Sequence, residues 1–265
     1  AQCTQLTTIG QSAFQDTCYL VFTLPDTVTT IEKSAFQSAF KEGNGGSFTI
    51  NPTSQLTTIG ASAFEDCRKM PKNVYIPSTV TSIGEKAFYD CSGLTGIEIP
   101  NSVTYIGNSA FYDCTSLTNI EIPNSVTKIG EWAFSSCTSL ASIIVESDNT
   151  IYDSREECNA IIETASNTII IGCKNSKIPN SVTNIGEAAF AHCYDLTSIE
   201  IPNSVTNIGL YAFYSCYNLT SIEIPNSVTI IGERAFWGCS GLTNVEIPTF
   251  LGIHIGECLF YCPKV

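Results

Sequence analysis

The chain has 265 residues, 43% of them hydrophobic, and a formal net charge of −13 from 12 Lys+Arg against 25 Asp+Glu. That acidic excess opposes phosphate backbones and anionic membrane surfaces, which excludes nucleic acid as the natural partner. No apolar run approaches the roughly 18 residues that a membrane-spanning helix needs, so no membrane insertion is expected within this sequence.

In chain order, the opening AQCTQLTTIGQSAF lacks the basic start and apolar stretch of a signal peptide and enters a repeat partway through, so a signal or anchor is expected outside it. The repeat is easiest to follow as Ile-Gly with Ala-Phe three and four residues after the Gly. It starts at Ile9-Gly10, is degenerate at Ile31-Glu32, and returns at Ile59, Ile83, Ile106, Ile129, Ile185, Ile208, Ile231 and, degenerate again, Ile255. The period is 23 residues from Ile83 to Ile129 and from Ile185 to Ile231. An irregular loop is expected near 38–52, where Gly43, Asn44, Gly45 and Gly46 break the pattern. The 56-residue interval from Ile129 to Ile185 leaves 33 residues for an enlarged repeat at 147–179. Its two apolar runs within Ala160 to Ile171 predict a β-hairpin.

Within one repeat, Leu-Thr-x-Ile-x-Ile-Pro alternates as a half-buried strand does. In Leu117 to Pro123, Ile120 and Ile122 point inward while Asn119 and Glu121 point out. Val-Thr-x-Ile-Gly gives a second short strand, and Gly-x-x-Ala-Phe-x-x-Cys has room for one helical turn, with Gly easing the entry. Such a unit cannot bury its apolar face alone, so neighbours must stack at about 4.8 Å. The expected fold is α/β: a single solenoid domain over 1–265, about eleven coils of short parallel strands and short helical turns. Phe14, Phe64, Phe88, Phe111, Phe134, Phe190, Phe213, Phe236 and Phe260 are expected to form a stacked spine.

The string Ile-Pro-Asn-Ser-Val-Thr-x-Ile-Gly-x-x-Ala-Phe-x-x-Cys-x-x-Leu-Thr-x-Ile-x resembles the repeat of BspA-like leucine-rich-repeat proteins of the Treponema pallidum type, over nearly the whole chain. The resemblance implies a right-handed solenoid. It also implies a secreted or cell-surface protein, of bacterial or protozoan kind, that binds host or matrix proteins or other cells.

Several columns are candidates for function. Glu98, Glu121, Glu200, Glu223 and Glu246 share one outward strand position, and form either a solubilising face or an acidic recognition surface. Tyr89, Tyr112, Tyr214, Trp237 and Tyr261 follow the repeat Phe, and either hold a protein or sugar or stack on one another over the turns; Tyr112, Tyr214 and Trp237 are the candidate contacts. Cys67, Cys91, Cys114, Cys137, Cys193, Cys216 and Cys239 stand three residues after Phe, where a ladder of buried thiols suits a regular stack better than discrete disulfides. Cys158 and Cys173 flank the hairpin and are the candidate disulfide. His254, Cys258 and Cys262 recur every four residues, but three ligands and the intervening Gly256 argue against zinc.

The chain contains no HExxH, GxSxG or CxxC and no phosphate-cradling loop, so neither catalysis nor a cofactor is expected. The expected role is a non-catalytic, adhesin-like protein-binding domain at the cell surface or outside the cell. Recognition of carbohydrate or cell wall through the aromatic column, and a spacer role for other domains, are the alternatives.

Overall fold

The structure is a computed structural model that describes residues 5–18, 20–41, 47–246 and 254–255. Contacts gather the chain into two compact units, Ala1–Ser139 and Leu140–Val265. Coils number about ten across the two.

In the first unit each coil contributes one two-residue strand from Val-Thr-x-Ile-Gly. Thr8–Ile9, Thr30–Ile31, Thr58–Ile59, Ser82–Ile83, Tyr105–Ile106 and Lys128–Ile129 lie side by side in chain order, all parallel, with each isoleucine set against the next. The second strand column is less continuous: Val21–Leu24 pairs with Ser47–Ile50 and Asn73–Val74 with Gly96–Ile97.

The second unit opens with an antiparallel meander of Tyr152–Asp153, Ala160–Glu163 and Thr168–Gly172. Asn184–Ile185, Asn207–Ile208, Ile230–Ile231 and His254–Ile255 then extend it as a parallel sheet. The enlarged repeat thus supplies the hairpin on which the regular coils of this unit stack.

The helical turn expected at Gly-x-x-Ala-Phe-x-x-Cys does not form, and the α/β assignment is corrected to a β-solenoid. Among the described residues the one helical element is the 3-10 turn Arg155–Glu157. In the regular coils, the second residue after Gly and the second after Phe have positive φ, as at Lys86 (54°) and Asp90 (52°), or Ser109 (53°) and Asp113 (60°). Two left-handed residues four apart break any α-helix and cost on the order of 1 kcal/mol each when they are not glycine.

What offsets that cost is the pairing of the freed amides with the next coil. Lys86 N–H donates to Asn108 O at 2.9 Å, Phe88 N–H to Ala110 O at 2.8 Å and Asp90 N–H to Tyr112 O at 2.8 Å. The intervening amides close local turns, Ala87 onto Gly84 and Cys91 onto Phe88. An α-helix would have turned all these donors inward along its own axis and left the coils unlinked on this side.

The phenylalanine spine is present in both units. Centroids are 5.1 to 5.3 Å apart along Phe14, Phe36, Phe64, Phe88, Phe111 and Phe134, and 5.1 and 5.2 Å apart along Phe190, Phe213 and Phe236. Phe36, from the degenerate copy, takes a full place in the stack, with Phe22 and Phe48 packed edge-on beside it. Phe260 lies outside the described residues, as do residues 42–46 of the expected loop.

The repeat glycine has a different purpose from an eased turn entry. A Cβ on Gly107 would fall 2.5 Å from the backbone of Gly84 and Glu85, and one on Gly130 would fall 2.4 Å from Asn108 N. Glycine is required here because successive backbones touch.

Candidate functional site

The acidic column is built by strand alternation. In Asn119–Ile122, Asn119 and Glu121 are exposed while Ile120 and Ile122 are buried, so the inward isoleucines fix the glutamate outward. Glu98 is exposed in the preceding coil, and Glu200 and Glu223 are exposed in the second unit. Glu223 stands directly opposite Glu246 in parallel register, and the side chain of Glu246 is outside the described set. The same position is held by Tyr75 in the first unit, 43% exposed, and in the second by Ile144, 50% exposed, and by Lys177. Within the first unit the acidic pair is thus preceded by an exposed tyrosine, and within the second by an exposed lysine.

Backbone pairing along this face is uneven. Ser221–Glu223 forms a regular ladder with Asn244–Glu246, whereas Ser198 to Ile201, one coil earlier, lies in no strand and its backbone makes no hydrogen bond to any described residue. Charge alone does not decide this, because the Glu223–Glu246 pair is fully laddered. The unpaired segment stands as a ridge between two open grooves. The larger, about 780 Å³, lies against Glu200, Asn203, Ser204, Ser221 and Glu223. The smaller, about 390 Å³, lies against Glu156, Cys158, Lys177 and Glu200.

The aromatic column packs largely on itself. Tyr112 stacks on Tyr89 at 5.0 Å and 6°. Tyr214 meets Tyr211 at 5.5 Å and His192 at 5.3 Å, both edge to face. Arg234 lies over Trp237 at 5.5 Å and over Tyr211 at 6.0 Å, and its guanidinium donates to the Tyr211 hydroxyl at 3.2 Å. All of these rings are half-buried. Tyr261 lies outside the described residues.

The cysteine column is structural. Six of the seven S–H groups donate to the carbonyl of the preceding coil's phenylalanine, among them Cys67 to Phe36 at 3.0 Å, Cys91 to Phe64 and Cys114 to Phe88 at 3.1 Å, and Cys216 to Phe190 at 3.1 Å, while Cys193, which follows the enlarged repeat, donates to Gly172 O at 3.7 Å. Burial pushes the thiols of Cys67, Cys91, Cys114 and Cys216 well above the ordinary range, which keeps them protonated and able to donate. Cys158 and Cys173 stand as separate free thiols, bonded through S–H to Ala160 O at 3.6 Å and Asn159 O at 3.4 Å. Burial raises the Cys158 thiol to about 11.

Among the described residues no three His, Cys, Asp or Glu side chains converge on a metal-sized space. The run His254, Cys258, Cys262 falls outside the described side chains. No helix among the described residues is long and apolar enough to cross a membrane.

Two features escaped sequence reasoning. Arg68 bridges successive coils, its Nε 2.7 Å from Asp66 and 3.0 Å from Asp90. The signal was present, since Asp66 and Asp90 are equivalent repeat positions and a basic residue follows Cys67. Threonine hydroxyls also form ladders, Thr104 donating to Thr81 O at 3.3 Å and Thr127 to Thr104 O at 3.2 Å. The constant Thr after each Val could have shown this.

Comparison with known proteins places these features in a family. Residues 2–41, 37–158 and 167–265 match the profile of the BspA type leucine rich repeat region, in six copies. Among solved structures, a leucine-rich repeat protein from Eubacterium ventriosum is 26% identical with a TM-score of 0.60, covering 82% of this chain; this chain spans only 60% of that protein. A leucine rich cell surface protein from Faecalibacterium prausnitzii is 27% identical with a TM-score of 0.65, covering 98% of this chain and 84% of its own. The pneumococcal vaccine antigen PcpA shares the fold at 20% identity and a TM-score of 0.69, over 98% of this chain and 72% of its own. No curated protein matches this chain. With its repeat matched along most of its length, the chain belongs to the BspA-type leucine-rich-repeat family.

Proposed function

We propose that this chain is a non-catalytic, adhesin-like recognition domain of a secreted or cell-surface protein, binding host or matrix proteins or other cells through its acidic strand face. The observation that carries this reading is the column of exposed glutamates, Glu98 and Glu121 in one unit and Glu200 and Glu223 in the other, held outward by buried isoleucines. A solenoid fixes its backbone first and leaves such outward positions free to vary, which suits recognition. The resemblance to a cell surface protein of Faecalibacterium prausnitzii supports the location. The mutual packing of the aromatic column gives the carbohydrate reading less support.

Binding of the whole chain to immobilised matrix proteins and to intact cells at low salt tests the proposal. Glu121→Lys with Glu223→Lys should weaken binding about tenfold, because exchanging carboxylates for ammonium groups replaces attraction by repulsion. Binding that survives both exchanges unchanged removes the acidic face from the mechanism.

A further inference from the structure

The residue after the repeat cysteine is small and polar in several coils, as at Ser92, Thr115 and Thr138, but it is aromatic in two successive coils of the second unit. There Tyr217 lies flat on Tyr194, with centroids 4.9 Å apart and an angle of 7° between the planes. The pair is held from behind. The Tyr194 hydroxyl meets His192 Nδ1 at 3.0 Å, and the His192 ring stands edge-on to Tyr194 at 5.6 Å. Neither tyrosine belongs to the column that follows the repeat Phe.

One coil further on, the stack stops. These coils pair in a 23-residue register, Ser221 opposite Asn244 and Glu223 opposite Glu246, which puts Ser240 at the place of a third ring. A Cβ on Gly241 would fall 2.5 Å from Tyr217 O, so the two backbones touch and the height above the Tyr217 ring is that of one coil, close to the 4.9 Å between the two tyrosines. One face of Tyr217 is therefore covered by Tyr194 and the other is left open over a serine, and the residue is 46% exposed. Tyr75 is as open but has no ring stacked behind it, and Tyr89 and Tyr112, stacked on each other, are half-buried. The side chains of Asn218 and Ser240 are exposed and uncharged and make no hydrogen bond to any described residue.

We propose that this missing rung is a sugar-binding site, where a pyranose ring of a neutral glycan lies on Tyr217 in the place of the absent third ring. One face of a pyranose is a flat set of C–H groups, which is attracted to the electron-rich face of an aromatic ring and releases water from it. The hydroxyls of the sugar project sideways, where the Asn218 amide both donates and accepts and the Ser240 hydroxyl does the same. Because both of these neighbours are uncharged, the site suits a neutral sugar over a cationic or anionic group. Tyr194 and His192 already hold Tyr217 in position, so little side-chain freedom is lost on binding. The site is separate from the acidic strand face and adds a second class of partner to the one proposed above.

The test is calorimetric titration of the full chain with cellohexaose, maltohexaose, chitohexaose and mannohexaose, with a hexa-arginine peptide as the charged comparison. At least one hexasaccharide should bind. Tyr217→Ala should weaken it about tenfold or more, while Tyr217→Phe, which keeps the ring, and Tyr112→Ala, which removes a ring elsewhere, should leave it within about twofold. Ser240→Tyr supplies the missing rung, so it should block the sugar without lowering the Tm, which separates a filled site from a misfolded chain. Glu121→Lys with Glu223→Lys should leave sugar binding within about twofold, so this site and the acidic face succeed or fail independently. Binding by none of the four hexasaccharides would overturn the proposal, as would binding that survives Tyr217→Ala or Ser240→Tyr, or that falls equally in Tyr112→Ala. Hexa-arginine bound through Tyr217 with no hexasaccharide bound would assign the ring to a cation and overturn it too.

Discussion

Replacing Phe111 by alanine probes the spine where it is most complete. Phe111 is wholly buried and sandwiched between Phe88 at 5.3 Å and Phe134 at 5.1 Å, with ring planes within 5° of parallel. Removing a ring that buries on the order of 150 Å² forfeits about 4 kcal/mol at 25 cal/mol per Å². Two lost stacking contacts add about 0.5 to 1.5 kcal/mol each. The void cannot collapse, because the ladders on both sides hold the coils at fixed spacing, so the total should sit at or above the upper end of the usual 3 to 5 kcal/mol for Phe→Ala, about 5 kcal/mol. For a unit of this size that is a fall in Tm of about 10 °C or more. Phe14 is half-buried and has only Phe36 stacked on it, so Phe14→Ala should cost about a third as much. Thermal melts by circular dichroism, with urea titrations to confirm an unchanged m-value, measure both. A Tm change for Phe111→Ala under about 3 °C, or equal losses at both sites, would refute the stacked spine as the source of stability.

Gly107→Ala should destabilise by more than about 2 kcal/mol in the same melts, because its Cβ meets backbone rather than a movable side chain. Cys114→Ala should cost about 1 kcal/mol by depriving Phe88 O of a donor, and Cys114→Ser should recover part of it. The folded-state thiol of Cys158 titrates near 11 against an ordinary 9.0, so the stability it contributes is complete below pH 9 and lost as pH rises through 11. The Tm should therefore fall as pH rises above 9, with the buried column thiols adding to the loss, and Cys158→Ser should make the fall between pH 9 and 11 shallower by its own share only. Arg68→Ala should cost no more than about 1 kcal/mol, vanishing in 1 M salt, because the guanidinium is 47% exposed. A larger, salt-independent loss would mean that its stem, and not its charge, matters.

Much of this protein was legible in its letters. The 23-residue period fixed a stack of coils, the alternation in Leu-Thr-x-Ile-x-Ile-Pro fixed which residues face inward, and the constancy of Phe and Cys fixed two internal columns. Those features are determined locally, because a strand's side chains alternate whatever lies beside it, and because identical units in register must stack identical residues.

The tertiary structure decided three things that no single repeat contains. Gly-x-x-Ala-Phe-x-x-Cys reads as a helical turn in isolation, yet Lys86 and Asp90 go left-handed because the amides they free bond the next coil. Gly107 reads as a flexible entry, yet its lack of Cβ matters because Gly84 and Glu85 pass within contact distance. Glu200 and Glu223 read like every other glutamate of the column, yet only the pairing of neighbouring coils leaves Glu200 outside any strand while Glu223 is laddered against Glu246. In each case the deciding contact comes from a neighbouring coil, and a repeat written 23 letters at a time records such contacts only through the residues they forbid.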